Sequence, residues 1–191
     1  MPRTNPGRRR DLTDAAIDLL AASGAHGVTH RAVEKAAGVP QGTASNYFPS
    51  REALLVATAE RVVELHHADM DDAARPERAS GAGITELLTE SLLAAATAHR
   101  TRYLAIFELQ LEATRRPALA AALAGLQDAS VRFTAGHHAE LDLAVPPEKI
   151  PTLIALYGGA LFALVTAPPE YVSAEFVRSI AHSIVHGALS S

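Results

Sequence analysis

Apolar residues recur at helical spacing along almost the whole chain, and the interruptions are glycines and prolines. The first stripe, Leu12, Ala16, Leu19 and Leu20, predicts a helix from about Arg9 to Ser23 with Gly24 as its stop. Thr29 is a good N-cap for a short second helix that turns Ala32, Val33, Ala36 and Ala37 inward. Gly38 ends it, because glycine takes the left-handed conformation that closes a helix, and Pro40 has the fixed φ of a first helical turn. A third helix is predicted from Pro40 to about Tyr47, cut off by Phe48, Pro49 and Ser50. Ser50 caps a fourth with Glu52 in its first turn, where the helix dipole favours an acid; its stripe is Leu55, Val62 and Leu65, and it runs to about Met70.

The stretch Asp71 to Gly83, holding Pro76, Gly81 and Gly83, reads as a linker. Five more helices follow: about Ile84 to Arg100, Arg102 to Arg115, Ala118 to Leu143, Glu148 to Ala167 and Ser173 to Leu189. Pro117 and the pairs Pro146–Pro147 and Pro168–Pro169 mark breaks. The expectation is an all-α protein of about nine helices in two domains, residues 1–70, with helix four reaching into the linker, and residues 71–191.

Composition supports this reading. Hydrophobic residues are 48% of the 191 while aromatics are 5%, a surplus made mostly of alanine and leucine, which are strong helix formers. With no cysteine, disulfides, thiolate metal sites and cysteine nucleophiles are excluded, and a reducing cytoplasm is the expected location. Arg8, Arg9 and Arg10 are followed by Asp11, Asp14 and Asp18 instead of an apolar signal-peptide core. The longest near-apolar run, Leu153 to Ala167, is 15 residues, short of the ~18–20 needed to cross a bilayer. It is read as a core or interface helix, with no membrane partner expected.

Charge is unevenly spread. Residues 1–51 hold seven Arg/Lys against four acids, a balance of +3, so with a formal total of −4 the remainder carries −7. Only the front is suited to approach nucleic acid.

Two short helices joined by a glycine-containing turn, the second rich in small polar residues, form a helix-turn-helix pattern. Small side chains let such a helix approach base edges closely, and Gln41, Thr43, Ser45 and Asn46 supply donors and acceptors there, with Ala44 placed to touch a thymine methyl. A plain loop between packing helices fits the same residues.

The segment Gly27 to Leu55, GVTHRAVEKAAGVPQGTASNYFPSREALL, resembles the DNA-binding domain of the tetracycline-repressor (TetR) family. The resemblance is carried by the threonine before helix two, the AGV turn (Ala37, Gly38, Val39), the GT pair (Gly42, Thr43), the YF pair (Tyr47, Phe48) and the SRE start of helix four. It implies a three-helix DNA-binding domain followed by a helical ligand-binding and dimerisation domain. It also implies roles: Thr29 and Tyr47, with Arg51 or the backbone N–H groups at the start of helix four, donate to phosphates; Gln41, Thr43 and Asn46 face the groove; Phe48 and Val39 hold the core. Ser45 departs from the pattern, since many members carry tyrosine there, so one phosphate contact is in doubt and Ser45 is freed to reach a base. Arg8, Arg9 and Arg10 read either as a basic arm that reaches DNA or as a solvated tail.

The rest of the chain resembles the family's second domain in layout only. In helix eight the small residues Ala155, Gly159, Ala163 and Ala167 are spaced four apart, which lets another helix approach closely. With Phe176, Ile180 and Ile184 of helix nine they are the expected dimer interface; core helices of a monomer are the alternative. The candidate ligand pocket is Tyr103, Leu104, Phe107, Leu111, Phe133, His137, Tyr157 and Phe162, each equally explained by ordinary core packing.

His182 and His186 share a helical face, but a zinc site needs further ligands that the sequence does not supply, so no metal and no cofactor are expected. GxSxG, HExxH, P-loop and dinucleotide fingerprints are all missing, so no enzyme is expected. The expected function is a DNA-binding regulator, a repressor by resemblance, that binds a palindromic operator as a homodimer and is released by a small-molecule effector. The alternative is a helical ligand- or partner-binding dimer without operator binding.

Overall fold

The computed structural model describes residues 5–73, 83–126 and 145–189. The architecture is all-α: α1 (Pro6–Gly27), α2 (His30–Ala36), α3 (Thr43–Tyr47), α4 (Arg51–Ala73), α5 (Ile84–Ala96), α6 (Arg100–Ala113), α7 (described over Pro117–Leu126), α8 (Ile150–Thr166) and α9 (Ala174–Leu189). Short 3-10 turns at Pro147–Lys149 and Pro169–Tyr171 precede α8 and α9.

Several boundaries differ from the sequence expectation for local reasons. α3 begins at Thr43, not Pro40, because Gly42 sits in the left-handed region at φ +86° and Thr43 N–H closes a turn on Pro40 O at 3.2 Å. α1 begins earlier, at Pro6, because the Asn5 side chain accepts from the Gly7 N–H at 2.9 Å and caps it. Arg8, Arg9 and Arg10 therefore lie in the first turns of a helix and not on an arm. At the other end Gly24 interrupts α1 with φ +65°. α5 stops at Ala96, three residues of turn follow, and α6 starts at Arg100.

The chain divides into two compact units, residues 1–66 with 101–125, and residues 67–100 with 126–191. α4 carries the chain out of the first unit, and the Arg100–Thr101 step carries it back. The first unit thus joins the N-terminal helices to α6 and the described part of α7, whereas a division at residue 70 follows chain order.

In the first unit Leu12, Ala16, Leu20, Val28, Val33, Phe48, Leu54, Leu55 and Val62 are buried, together with Ile106, Leu109, Leu119 and Leu123. Burial of such side chains stabilises by about 1.5–3 kcal/mol each. Ion pairs add to the fit of α1 on α4: Arg61 holds Asp14 at 2.8 Å and Glu64 at 3.0 Å, and Arg9 reaches Glu60 at 3.2 Å. The hydrogen bond to Asp14 outweighs desolvation and raises the Arg61 pKa above its ordinary value.

In the second unit α5, α8 and α9 pack on one another. Leu92, Ala95 and Ala96 of α5, Leu153, Leu161, Leu164 and Val165 of α8, and Val177, Ala181, Ile184 and Ala188 of α9 are buried. Helical turns run from Pro147 to Thr166, so this segment reaches 20 residues and is long and apolar enough to cross a membrane by length and composition, although little of its most apolar stretch, 28%, is buried within the chain. The 15-residue apolar run understated it, because the helix extends back through Pro147.

Candidate nucleic-acid interface

α2 and α3 are joined by a turn in which Gly38 (φ +64°) and Gly42 (φ +86°) are both left-handed, a conformation that side chains with a Cβ rarely adopt. This double turn joins the two short helices through residues 37–42 alone. Ala44 anchors α3 from below with no exposed surface, and Phe48 is 2% exposed at its end. Ala44 is therefore unable to meet a thymine methyl; the expected contact is replaced by a core contact.

Gln41, Ser45 and Asn46 are exposed beside one another on and just before α3. They are the polar groups able to address base edges. Thr43 is half-buried and donates its hydroxyl to Pro40 O at 2.6 Å, so toward a base it offers lone pairs only.

Two hydroxyls flank this face. Thr29 caps α2 by accepting from the Ala32 N–H at 3.1 Å, and Tyr47 accepts from the Asn5 N–H at 3.2 Å. Each hydroxyl serves as acceptor inside the protein and retains an O–H to donate outward, the polarity a phosphate oxygen requires. Arg31 and Lys35 are exposed one turn apart on α2 and add cations that the motif reading did not single out; their four-residue spacing is the signal. The structure also brings Glu34 under α3: it is 4% exposed and accepts from the Ala44 N–H at 2.8 Å.

The remaining basic candidates are differently engaged. The Arg51 guanidinium turns inward, where Nε donates to Val28 O at 2.9 Å and Nη2 donates to Ala25 O. Its side chain is thus a clamp on the end of α1, engaged with main-chain carbonyls. Arg9 lies over the Phe48 ring at 5.6 Å while paired with Glu60, and Arg10 pairs with Glu64 at 3.3 Å. Arg8 is exposed.

The pocket candidates are distributed over both units and the undescribed residues. Tyr103, Leu104, Phe107 and Leu111 belong to the first unit, Tyr157 and Phe162 belong to the second, and Phe133 and His137 lie outside the described residues. Tyr103 packs edge-on to His66 at 6.1 Å, and burial raises its phenol pKa. Tyr157 shares a 2.6 Å hydrogen bond with Ser91. Leu111 is 59% exposed and Phe162 49% exposed, so neither is enclosed within its own unit.

On α8, Ala155, Gly159 and Ala163 are exposed, and a Cβ built at Gly159 meets nothing within 4 Å. Leu156, Phe162 and Phe176 are exposed by 41–51%, so an apolar face runs beside the small residues. Ile180 is half-buried, whereas Ile184 is 6% exposed inside its own unit and does not belong to this face. His182 and His186 stack at 6.4 Å, and among the described residues no three His, Cys, Asp or Glu side chains gather as a metal-ligand group.

The family described as bacterial regulatory proteins of the tetR family matches residues 12–58, and the tetracyclin repressor-like C-terminal domain matches residues 79–191, more than half of the chain. No curated protein matches. Among solved structures, a TetR-family member from Streptomyces coelicolor is 28% identical with a TM-score of 0.71, covering 94% of this chain and 98% of that one. The multidrug binding protein EbrR complexed with imidazole is 28% identical with a TM-score of 0.67, covering 96% of this chain and 93% of that one. A TetR-family transcriptional regulator from Rhodococcus is 25% identical with a TM-score of 0.69, covering 96% and 100%.

Proposed function

The chain belongs to the TetR family and is a DNA-binding transcriptional regulator, not an enzyme, and from that premise we propose that it acts in the cytoplasm as a dimeric repressor released by a small-molecule effector. The observation that carries the reading is the face made by Gln41, Ser45 and Asn46, flanked by the outward-donating hydroxyls of Thr29 and Tyr47. Hydroxyl and backbone donors hold the phosphates and fix the register, while the exposed amides and the serine read base edges.

The dimer is formed by α8 and α9 of two copies. Its support is the exposed apolar face containing Ala155, Gly159, Ala163, Phe162 and Phe176, where the small residues leave room for a close helix approach. Covering that face with a second copy also accounts for an apolar helix that its own chain buries so little. Two-fold symmetry then calls for a palindromic operator whose half-sites are about 34 Å apart.

The effector is a small organic molecule. EbrR, similar to this chain over nearly its whole length, has been solved with imidazole, with proflavin and with ethidium. Release requires that the effector favour a dimer whose reading heads sit at another separation, and DNA must then weaken effector binding by the same factor. α4 is the lever, since it passes from one compact unit into the other.

Selection of bound fragments from random double-stranded DNA tests the reading. A palindromic consensus is expected, with affinity that falls steeply as salt rises because phosphate contacts release counterions. Recovery of no consensus, or binding indifferent to salt, leaves only the helical dimer without operator binding.

A further inference from the structure

α3 has only five residues, and a helix that short has no stability or direction of its own. Its N-cap is Gly42, which supplies no side-chain acceptor. The Thr43 N–H turns back to Pro40, and the next donor, the Ala44 N–H, goes to Glu34 Oε1 at 2.8 Å across ten positions of sequence. Glu34 also accepts at its backbone carbonyl, from the Val39 N–H at 3.0 Å. One residue of α2 therefore fixes the turn through its main chain and the start of α3 through its side chain.

Burying a carboxyl group is costly unless hydrogen bonds compensate, and here the Ala44 N–H supplies one at 2.8 Å. A negative charge beneath the surface that meets a polyanion opposes DNA binding by Coulomb repulsion. Any contribution it makes to recognition must come through what it holds.

We propose that Glu34 is the positioning residue of the recognition helix: by holding the Ala44 N–H it sets how α3 presents Gln41, Ser45 and Asn46, and thereby sequence selectivity, without touching DNA. The proposal rests on the DNA-binding reading above. It predicts a separation between selectivity and bulk affinity that a merely structural buried residue does not produce.

The test compares Glu34→Met, which keeps size and removes the acceptor, with Glu34→Gln, which keeps the acceptor and removes the charge. Full-length chains are titrated onto the selected operator, its single-base variants and scrambled DNA. Glu34→Met is expected to lower the ratio of operator to scrambled affinity about tenfold and to reorder the variants, since an orphaned donor frees the helix start to reorient. Glu34→Gln is expected to retain the order, and to bind all DNA somewhat more tightly because a negative charge is gone. Both should show the wild-type salt slope, as no phosphate contact changes. A folded Glu34→Met that keeps the wild-type ratio and ranking overturns the proposal, as does a Glu34→Gln that loses them to the same extent.

If Glu34→Met fails to fold, amide hydrogen exchange on the wild type and Glu34→Gln decides. The Ala44 N–H is expected to exchange much more slowly than that of Gly42, and equal rates overturn the proposal. Lack of any selective binding by the wild type sinks the DNA reading and the selectivity claim with it, while Ala44 exchange still reports separately whether Glu34 holds the helix.

Discussion

The carboxylate of Glu108 on α6 accepts a hydrogen bond from the backbone N–H of Ala25 at 3.1 Å, joining positions 83 residues apart. The carbonyl of the same Ala25 accepts from Arg51 at the start of α4. Gly24 has already broken α1 with φ +65°, and a Cβ there would come within 3.1 Å of Glu108 Oε2. Polar groups at a helix end need partners from outside the helix. Here two of them come from helices far along the chain, so the end of α1 is a junction where α4 and α6 meet within the first unit.

Glu108→Ala should leave the Ala25 N–H without its carboxylate and destabilise the fold by about 1 kcal/mol. Glu108→Gln keeps an acceptor and should recover most of that loss. Urea unfolding checks both; an unchanged midpoint for Glu108→Ala would show that the junction does not depend on this contact.

Arg51→Lys replaces a planar fork with a single ammonium, which is poorly shaped to serve the carbonyls of Ala25 and Val28 together. Stability should fall by about 1 kcal/mol. The slope of log affinity against log salt should not change, because the side chain neutralises no phosphate. A slope reduced by about one contact would place Arg51 on DNA after all.

Gly159→Leu fills the open space beside α8 and should push a partner helix away. Sedimentation is expected to show a dimer for the wild type and monomer for the variant. Operator affinity should drop as well, since two half-sites no longer bind as one unit. A wild-type monomer at micromolar concentration would remove the dimer from the account.

Glu112 receives Arg116 Nε at 2.8 Å and Arg115 Nη2 at 3.2 Å. The Arg116 hydrogen bond is the larger cause and, against some desolvation, lowers the carboxyl pKa below its ordinary value. A depressed folded-state pKa means stability that is present above the unfolded value of about 4.3 and is lost as pH falls through the folded one. Glu112→Gln should therefore flatten the acid limb of a stability curve and leave pH 7 to 9 without slope from this group. An acid limb of unchanged steepness would count against the pairing.

The legible part of the molecule was what local spacing decides. Gly38, the Ser50 cap and Leu12, Ala16 and Leu20 of the α1 stripe need only neighbours within a turn or two, and each lies where the sequence places it, while Leu19 is only half-buried. A helix start at Pro40 makes α3 three residues too long; Gly42, two residues on, is the better signal of the break. That error carried Ala44 onto the wrong face, since on a five-residue helix the starting residue determines which side chains point down. Arg51 and Glu108 were illegible for another reason. Their partners are main-chain groups of Ala25 and Val28, and no side-chain pattern reports where a distant carbonyl or N–H will lie. Glu34 lies off the stripe Ala32, Val33, Ala36 and Ala37 that the sequence turns inward, yet it is buried while Ala36 is exposed, because its carboxyl serves the Ala44 N–H of the next helix.

The most direct measurement compares Asn46→Ala with Tyr47→Phe across a library of variants of the selected operator. Asn46 is exposed on the reading face, and losing a base contact should cost about 1–3 kcal/mol at one base pair of each half-site, which changes the rank order of sites. Tyr47 offers a phosphate one donated proton, so its loss should weaken every site by a common factor and leave the order intact. If both variants lower all sites in parallel, α3 does not read bases through the face described, and the central claim is contradicted.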